Sequence, residues 1–310
     1  MSNESVKIEK ETLETSDDQQ VTPVSAQTTD EIEEIVDELA ATPKRERIWE
    51  IDFVRGLMIL FVVWDHFMWD VRYAVGGNYQ TGLFTWLYQL AGRYYSGSLR
   101  NVTHDVFVSM FVLTSGVSCS FSRSNGKRAL RMISFSVLFS AVTYAIDAIL
   151  HNGLTIYFNV IHVISLSVLI YACIEWVWSK CTKNWHKNLF GVIFFAVTMT
   201  ALVVGGCAKA MNTNWTNVLL GQSEWRTAVI SKFEKGGDYL PFLPDFGWFL
   251  VGVFIGKAAY KQRRSLLPSV DTRYVSPVTF CGKHSLWVYF ISQIVMYSFV
   301  YLLHDMFNVL

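Results

Sequence analysis

The stretch DFVRGLMILFVVWDH, residues 52–66, is apolar enough for lipid, yet it carries a permanent cation, Arg55, and an imidazole, His66, eleven residues apart. On a helix, eleven steps of about 100° bring His66 back to within about 20° of Arg55, and a rise of about 1.5 Å per residue puts them about 16 Å apart along the axis. Asp52 and Asp70 fall on the same stripe, whereas Asp65 points away from it. One polar line therefore runs through most of a bilayer's thickness. An arginine inside a span costs about 2.5–3.5 kcal/mol on insertion scales, and such groups face a cavity or the bundle interior. Histidine, which ordinarily titrates near neutrality, can take a proton from a hydroxyl or amine or carry an acyl group itself.

Other residues of the same kind lie along the chain. His104 and Asp105 open the apolar run NVTHDVFVSMFVLTSG, and His162 lies about two turns into YFNVIHVISLS. Asp238 and Asp245 surround two prolines in GDYLPFLPDFGWFLVG, and a helix broken at membrane depth is tolerated only where protein or a water-filled cavity covers it. Lys283 and His284 form a cationic pair at the start of the last apolar run, FCGKHSLWVYFISQ. Each has a plainer structural alternative. Arg55 can reach back to Asp52 while His66 lies in the headgroup zone. Thr103 can cap a helix that has Asp105 in its first turn. His162 can hydrogen-bond a neighbouring helix, and Lys283 with His284 can follow the bias of basic residues toward the cytoplasm. Glycine-rich phosphate loops, HExxH and GxSxG are absent, and the five cysteines show no CxxC spacing. No metal site and no nucleic-acid partner are expected.

The elements that position these residues follow from composition. Of 310 residues, 52% are hydrophobic and 17% charged, below the quarter or so of a soluble domain. The net charge of zero hides an asymmetry, because residues 1–43 hold twelve acidic and two basic residues. That segment has no aromatic residue and reads as a disordered acidic cytoplasmic tail, without the basic and apolar regions of a cleaved signal. Residues 44–310 form the membrane domain. A spanning helix needs roughly 17–25 apolar residues. Seven stretches qualify, at about 48–70, 103–122, 129–150, 156–178, 188–207, 241–260 and 284–303. Residues 79–97, aromatic but broken by glycine and arginine, read as an interfacial or re-entrant segment. The expected fold is an all-α, polytopic bundle of about seven transmembrane helices in the cell membrane. Sixteen basic residues fall before span one and in the alternate loops that follow it, against seven in the remaining loops, which puts the N-terminus inside and the C-terminus outside.

With these residues in view, RIWEIDFVRGLMILFVVWDH resembles the opening of the catalytic domain of the heparan-α-glucosaminide N-acetyltransferase-like family, in its bacterial branch. FVSMFVLTSGVSCSFSRS, FNVIHVISLSVLI and the pair GDYLPFLPDFGWFLVG and GKHSLWVYFISQ match in order, so the resemblance covers about residues 47–300. The spacing of Arg55 and His66 is also similar to that of the membrane acyltransferase-3 family, a distant relative. The resemblance implies transfer of an acetyl group from cytoplasmic acetyl-CoA to an extracytoplasmic sugar or glycan, with His66 near the chemistry and Arg55 on the acyl-CoA path. Lys283 and His284 would then help Arg55 hold the nucleotide phosphates. His162, Asp238 and Asp245 would face the acceptor. In the human-like branch an asparagine stands at the position of His66, which makes His104, with Asp105, the second catalytic candidate. Ser292 and Ile294 depart from the bacterial pattern, which has histidine and proline there.

Two other classes of function fit the residues. A carrier would also place Arg, His and Asp along a path, although carriers usually show paired repeats that this chain lacks. A non-catalytic membrane partner protein would fit the Ser292 departure. The charge count makes the first test topological. Reporters fused after residues 125, 183 and 265 are expected to read cytoplasmic, and those after 153, 220 and 310 external. An external reading at 183 with a cytoplasmic one at 220 would overturn the span count.

Overall fold

The computed structural model describes residues 48–74, 83–122, 124–150, 155–180, 184–234, 238–262, 264–268, 270 and 273–308. The acidic segment at residues 1–43, expected to be disordered, lies outside the described residues. Among those described there are eleven helices and no strand. They are α1 (Trp49–Trp69), which runs into a π-helical turn over Asp70–Ala74, α2 (Leu83–Ser96), α3 (Ser98–Cys119) and α4 (Asn125–Leu150). There follow α5 (Val160–Ser179), α6 (Asn184–Ala210), α7 (Trp215–Leu220), α8 (Glu224–Glu234), α9 (Phe242–Ala258), α10 (Ser276–Lys283) and α11 (Ser285–Asn308).

Five of these helices are long and apolar enough to cross a membrane: α3, α4, α5, α6 and α11. The protein is an all-α, multi-pass membrane protein. The first and sixth expected spans fall on α1 and α9, which are of a different kind. α1 carries Glu50, Asp52, Arg55 and Asp65 within 21 residues, and α9 has 17 residues. α9 is largely interior, and α1 turns its polar groups inward while Leu60, Phe61 and Trp64 stay exposed. α9 buries Phe249, Leu250 and Val253 completely, against Val112 of α3, Tyr171 of α5 and Val204 of α6. α4 and α11, by contrast, leave most of their apolar side chains exposed, as helices facing acyl chains do. Hydropathy thus picks out the helices at the lipid boundary more readily than those at the centre.

Apolar burial gives little drive for helix association in lipid, so close contact between backbones carries more of the weight. Glycine makes the close contact at several crossings. Where α3 meets α9, a Cβ on Gly116 would overlap the Phe249 carbonyl, and one on Gly252 would overlap the Leu113 carbonyl. Where α1 meets α10, Gly56 abuts the Val278 carbonyl and Gly282 the Asp52 carbonyl in the same way. The second crossing fixes the depth of Arg55, the neighbour of Gly56.

Three local features differ from or refine the sequence reading. α3 starts at Ser98, after an extended Gly97, so Thr103 is inside the helix and is not its cap. The Thr103 hydroxyl donates back to the Leu99 and Arg100 carbonyls at 2.9 and 3.1 Å. The helix gains a turn of polar sequence because Arg100 in that turn is held by Asp65 of α1. The aromatic stretch at 79–97 contains α2, a 14-residue helix that buries Phe84 and Ala91 and exposes Trp86, too short to cross. At the entry to α9, Leu243 keeps an extended backbone (φ −106°, ψ 136°), and the regular helix runs on from Pro244. A residue before proline is steered away from the helical region in this way.

The crossing of α3 and α9 yields a stability prediction. Gly252→Ala is expected to cost about 1–3 kcal/mol by forcing two backbones apart. Gly206→Ala on α6, where an added Cβ meets nothing within 4 Å, should be neutral or stabilising by up to about 1 kcal/mol. Thermal unfolding of the two variants in one detergent checks the contrast.

Candidate functional site

His66 lies near the end of α1, with its side chain 21% exposed. Its Nε2 is 3.9 Å from Oδ1 of Asp238, in the segment leading to α9, and its ring meets the edge of Tyr289 on α11 at 5.7 Å between centroids. Tyr289 is buried, and its hydroxyl donates to the other carboxylate oxygen, Asp238 Oδ2, at 2.9 Å. Asp238 has φ +55°, in the left-handed region that few residues other than glycine adopt, although Asp and Asn are enriched there. Three separate segments therefore converge on one carboxylate.

Behind Tyr289 lies a second polar layer. Asn159 caps α5, its Oδ1 accepting from the Ile161 N–H at 3.1 Å and lying 2.9 Å from His162 Nδ1. Asn159 Nδ2 is buried near the Tyr289 hydroxyl without a hydrogen bond of good geometry. His162 Nε2 is 3.0 Å from Ser140 Oγ on α4. His162 is thus occupied at both nitrogens, closing the α5 cap on one side and binding a neighbouring helix on the other.

Asp65 points away from the His66 stripe, as the spacing indicates, but into α2 and α3 rather than into lipid. It is 7% exposed and accepts a two-pronged pair from Arg100, Nε to Oδ1 at 2.9 Å and Nη2 to Oδ2 at 2.7 Å. The hydroxyls of Tyr94 and Tyr95 also donate to it, at 2.9 and 3.4 Å, and Tyr95 donates to the Asp65 carbonyl at 2.9 Å. Burial, together with the Asp65 carboxylate, pushes both phenols well above their usual range, so they act only as donors. The Arg100 guanidinium lies over the Tyr95 ring at 4.6 Å. His104, half-buried against Phe107, lies within electrostatic reach of Arg100, Asp65 and Asp238. Sequence reasoning passed over Asp65, Arg100, Tyr94, Tyr95 and Tyr289. The available signal was an aspartate inside an apolar run with an arginine two elements later.

The remaining expected site residues are dispersed. Asp105 forms an ion pair with Lys209 of α6, and both are exposed. Asp245 is buried in α9 and accepts from the Ser109 hydroxyl of α3 at 3.3 Å. At the other end of α1, Arg55 Nη2 donates to Ser118 Oγ at 2.6 Å and to the Thr114 carbonyl at 3.3 Å, both on α3. Its Nη1 lies 3.7 Å from Asp52. Lys283 is exposed at the end of α10. His284 packs on Phe280 at 4.7 Å and shares a shallow apolar groove with Trp287 and Ile291. Ser292 turns its hydroxyl back to the Tyr289 carbonyl at 2.8 Å. Among the described residues, no group of three or more His, Cys, Asp or Glu side chains could hold a metal ion.

Of the expected site residues, then, the structure brings His66 and Asp238 together and adds Tyr289, while Asp65 and Arg100 form a second cluster within electrostatic reach of His104. The two carboxylates differ in electrostatic setting. Asp65 is neutralised by Arg100, whereas Asp238 meets the neutral Tyr289 hydroxyl on one side and the His66 imidazole on the other. The Asp65–Arg100 pair is largely desolvated. Arg100→Ala would leave the carboxylate buried against two tyrosines and should cost about 3 kcal/mol or more. Asp65→Asn with Arg100→Met should cost less than Arg100→Ala alone, as thermal unfolding of the three variants would show.

The chain was compared with known proteins. A family model described as heparan-alpha-glucosaminide N-acetyltransferase, catalytic, matches residues 47–294, a region that contains α1 to α10, the start of α11 and every residue of the cluster around His66. No curated protein and no solved structure matched the chain. With that match spanning most of its length, this membrane-embedded chain belongs to the heparan-alpha-glucosaminide N-acetyltransferase catalytic family.

Proposed function

We propose that the protein transfers an acetyl group from cytoplasmic acetyl-CoA to a hydroxyl or amine of an extracytoplasmic sugar or glycan. The observation that carries this reading is the His66 imidazole, accessible and flanked by Asp238 and Tyr289, on the same helix as Arg55. Family membership supplies the class of reaction. Seven spans, counting α1 and α9 with the five apolar ones, put the two ends of α1 on opposite sides of the membrane, with the N-terminal side cytoplasmic. The bacterial branch of the family has the motifs closest to those of this chain.

In this mechanism His66 takes the proton from the acceptor as its oxygen or nitrogen bonds to the acetyl carbon. The carbon–sulfur bond breaks, and the CoA thiolate leaves with the electron pair. Direct transfer and passage through an acetyl-imidazole use the same residue. His104, the second candidate, would donate to the developing oxyanion or replace His66 as base. The nucleotide end of CoA is anionic and would lie at the Arg55 end, about 16 Å from His66 by the helix rise. Arg55 fits that role with part of its fork, because Ser118, Thr114 and Asp52 already engage it. Lys283, exposed at the end of the helix that crosses α1, adjoins that crossing in sequence, with His284 beside it. Asp245, His162 and Asp105 have partners in the protein, so acceptor contacts fall chiefly to the groups around His66.

His66→Ala should lower acetyl transfer by about a hundredfold or more, the usual scale for loss of a general base, with acetyl-CoA binding nearly unchanged. Arg55→Ala should weaken acetyl-CoA binding first. Arg55→Lys separates charge from the planar fork, since it keeps only the former. Labelled acetyl-CoA, purified variants and total envelope glycans supply the measurement, with thermal unfolding as control. Near-normal turnover in folded His66→Ala would pass the role to His104. A wild-type protein that moves no label would return the carrier or the non-catalytic partner.

A further inference from the structure

We infer that Asp238, anchored by the Tyr289 hydroxyl, is a positioning residue that holds His66 in one tautomer, with the proton on Nε2 and the lone pair of Nδ1 left for chemistry. This rests on the reading of His66 as the reactive group and reassigns Asp238 from acceptor binding to the support of the imidazole. Three observations carry it. Asp238 Oδ1 lies 3.9 Å from Nε2, so a shift of under about 1 Å closes an N–H to carboxylate bond. Its other oxygen is held by a buried tyrosine of a different helix, 2.9 Å away, so the carboxylate is not free to turn from His66. Its backbone is in the left-handed region at φ +55°, a conformation that persists where surrounding structure demands it and that gathers at functional sites.

A carboxylate accepts at both oxygens and never donates. With Oδ2 taken by the Tyr289 hydroxyl, Oδ1 faces the ring, and it can bond the facing ring nitrogen only if that nitrogen carries the proton. The tautomer of a histidine is set in this way by the partner of its other nitrogen. Tyr289 also packs its ring edge against the imidazole at 5.7 Å, which limits rotation of His66 about its side-chain bonds. Asp65, the other carboxylate nearby, is satisfied by Arg100, Tyr94 and Tyr95 and does not compete.

The amide of asparagine makes a sharp probe, because Asn also tolerates the left-handed backbone. In Asp238→Asn the single amide oxygen accepts from Tyr289, and the amide nitrogen, a donor only, then faces Nε2. The tautomer should invert to a proton on Nδ1. In Asp238→Asn with Tyr289→Phe, the amide loses that anchor and can turn its oxygen to Nε2, so the original tautomer should return. Solid-state NMR of 15N-histidine-labelled protein in lipid bilayers reads the neutral ring directly, with the His66 signals assigned by their absence in His66→Gln. Acetyl transfer is followed in parallel. Asp238→Asn should lower kcat by about tenfold to a hundredfold while KM for acetyl-CoA stays unchanged, and the double variant should recover part of that loss. Wild-type His66 protonated on Nδ1 would overturn the proposal whether or not any variant folds. A tautomer indifferent to Asp238→Asn in a folded protein would overturn it too. If the tautomer inverts and returns as described while the wild-type protein moves no acetyl label, the tautomer assignment stands and the proposed function fails. If the tautomer is indifferent while His66→Ala is inactive, the reverse holds.

Discussion

A carboxylate or guanidinium in hydrocarbon has no water to bind, and α1 carries Asp52, Arg55 and Asp65 along its length. Each is turned to a partner within the bundle. Asp65 meets Arg100, Tyr94 and Tyr95, and Arg55 meets Ser118, the Thr114 carbonyl and Asp52. α1 therefore packs its polar groups against α2, α3, α10 and α11, and leaves Leu60, Phe61 and Trp64 exposed on the opposite face. The glycine crossing at Gly56 and Gly282 serves the same need, because it brings a short helix close against the segment of α1 that holds Asp52 and Arg55.

α9 is the more deeply buried helix, and it divides the work with α1. α9 carries the packing. Its Phe249, Leu250 and Val253 are fully buried, and Gly252 and Gly256 bring it into close contact with α3. α1 carries the polar groups at both of its ends. The segment that leads into α9 supplies Asp238, so that segment and the polar helix meet at His66. The His66 ring there packs against the edge of Tyr289, on a third helix.

The cluster also shows how two carboxylates a few residues from one imidazole in space can serve different ends. Asp65 is spent on holding α1, α2 and α3 together, fully partnered by one cation and two phenols. Asp238 keeps one oxygen toward His66. The distinction lies in what surrounds each group and not in the type of residue, which is why Asp105, beside His104 in the chain, can end up on an exposed ion pair with Lys209.

Much of this was legible in the residues alone. Long apolar runs mark helices that touch lipid, because hydropathy measures what lipid requires, and five such runs are long, apolar helices in the structure. The family likeness is also local, since it rests on short motifs such as those around Arg55 and His66, and the family model covers residues 47–294. The 3.6-residue repeat put Arg55 and His66 on one stripe and turned Asp65 from it, and α1 is continuous across all three. Partners were not legible. A period along one helix says which way a side chain points and not what another helix brings to meet it. Tyr289 reads as one more aromatic in an apolar run until α11 packs beside α1, and Asp238 reads as a loop residue until Tyr289 holds its carboxylate. The start of α3 at Ser98 depended on Arg100 reaching Asp65, a contact thirty-five residues long in the chain. Local physics determined where the helices are and which residues were costly to bury. Tertiary contact alone decided which of those residues were satisfied and which was left facing the His66 imidazole.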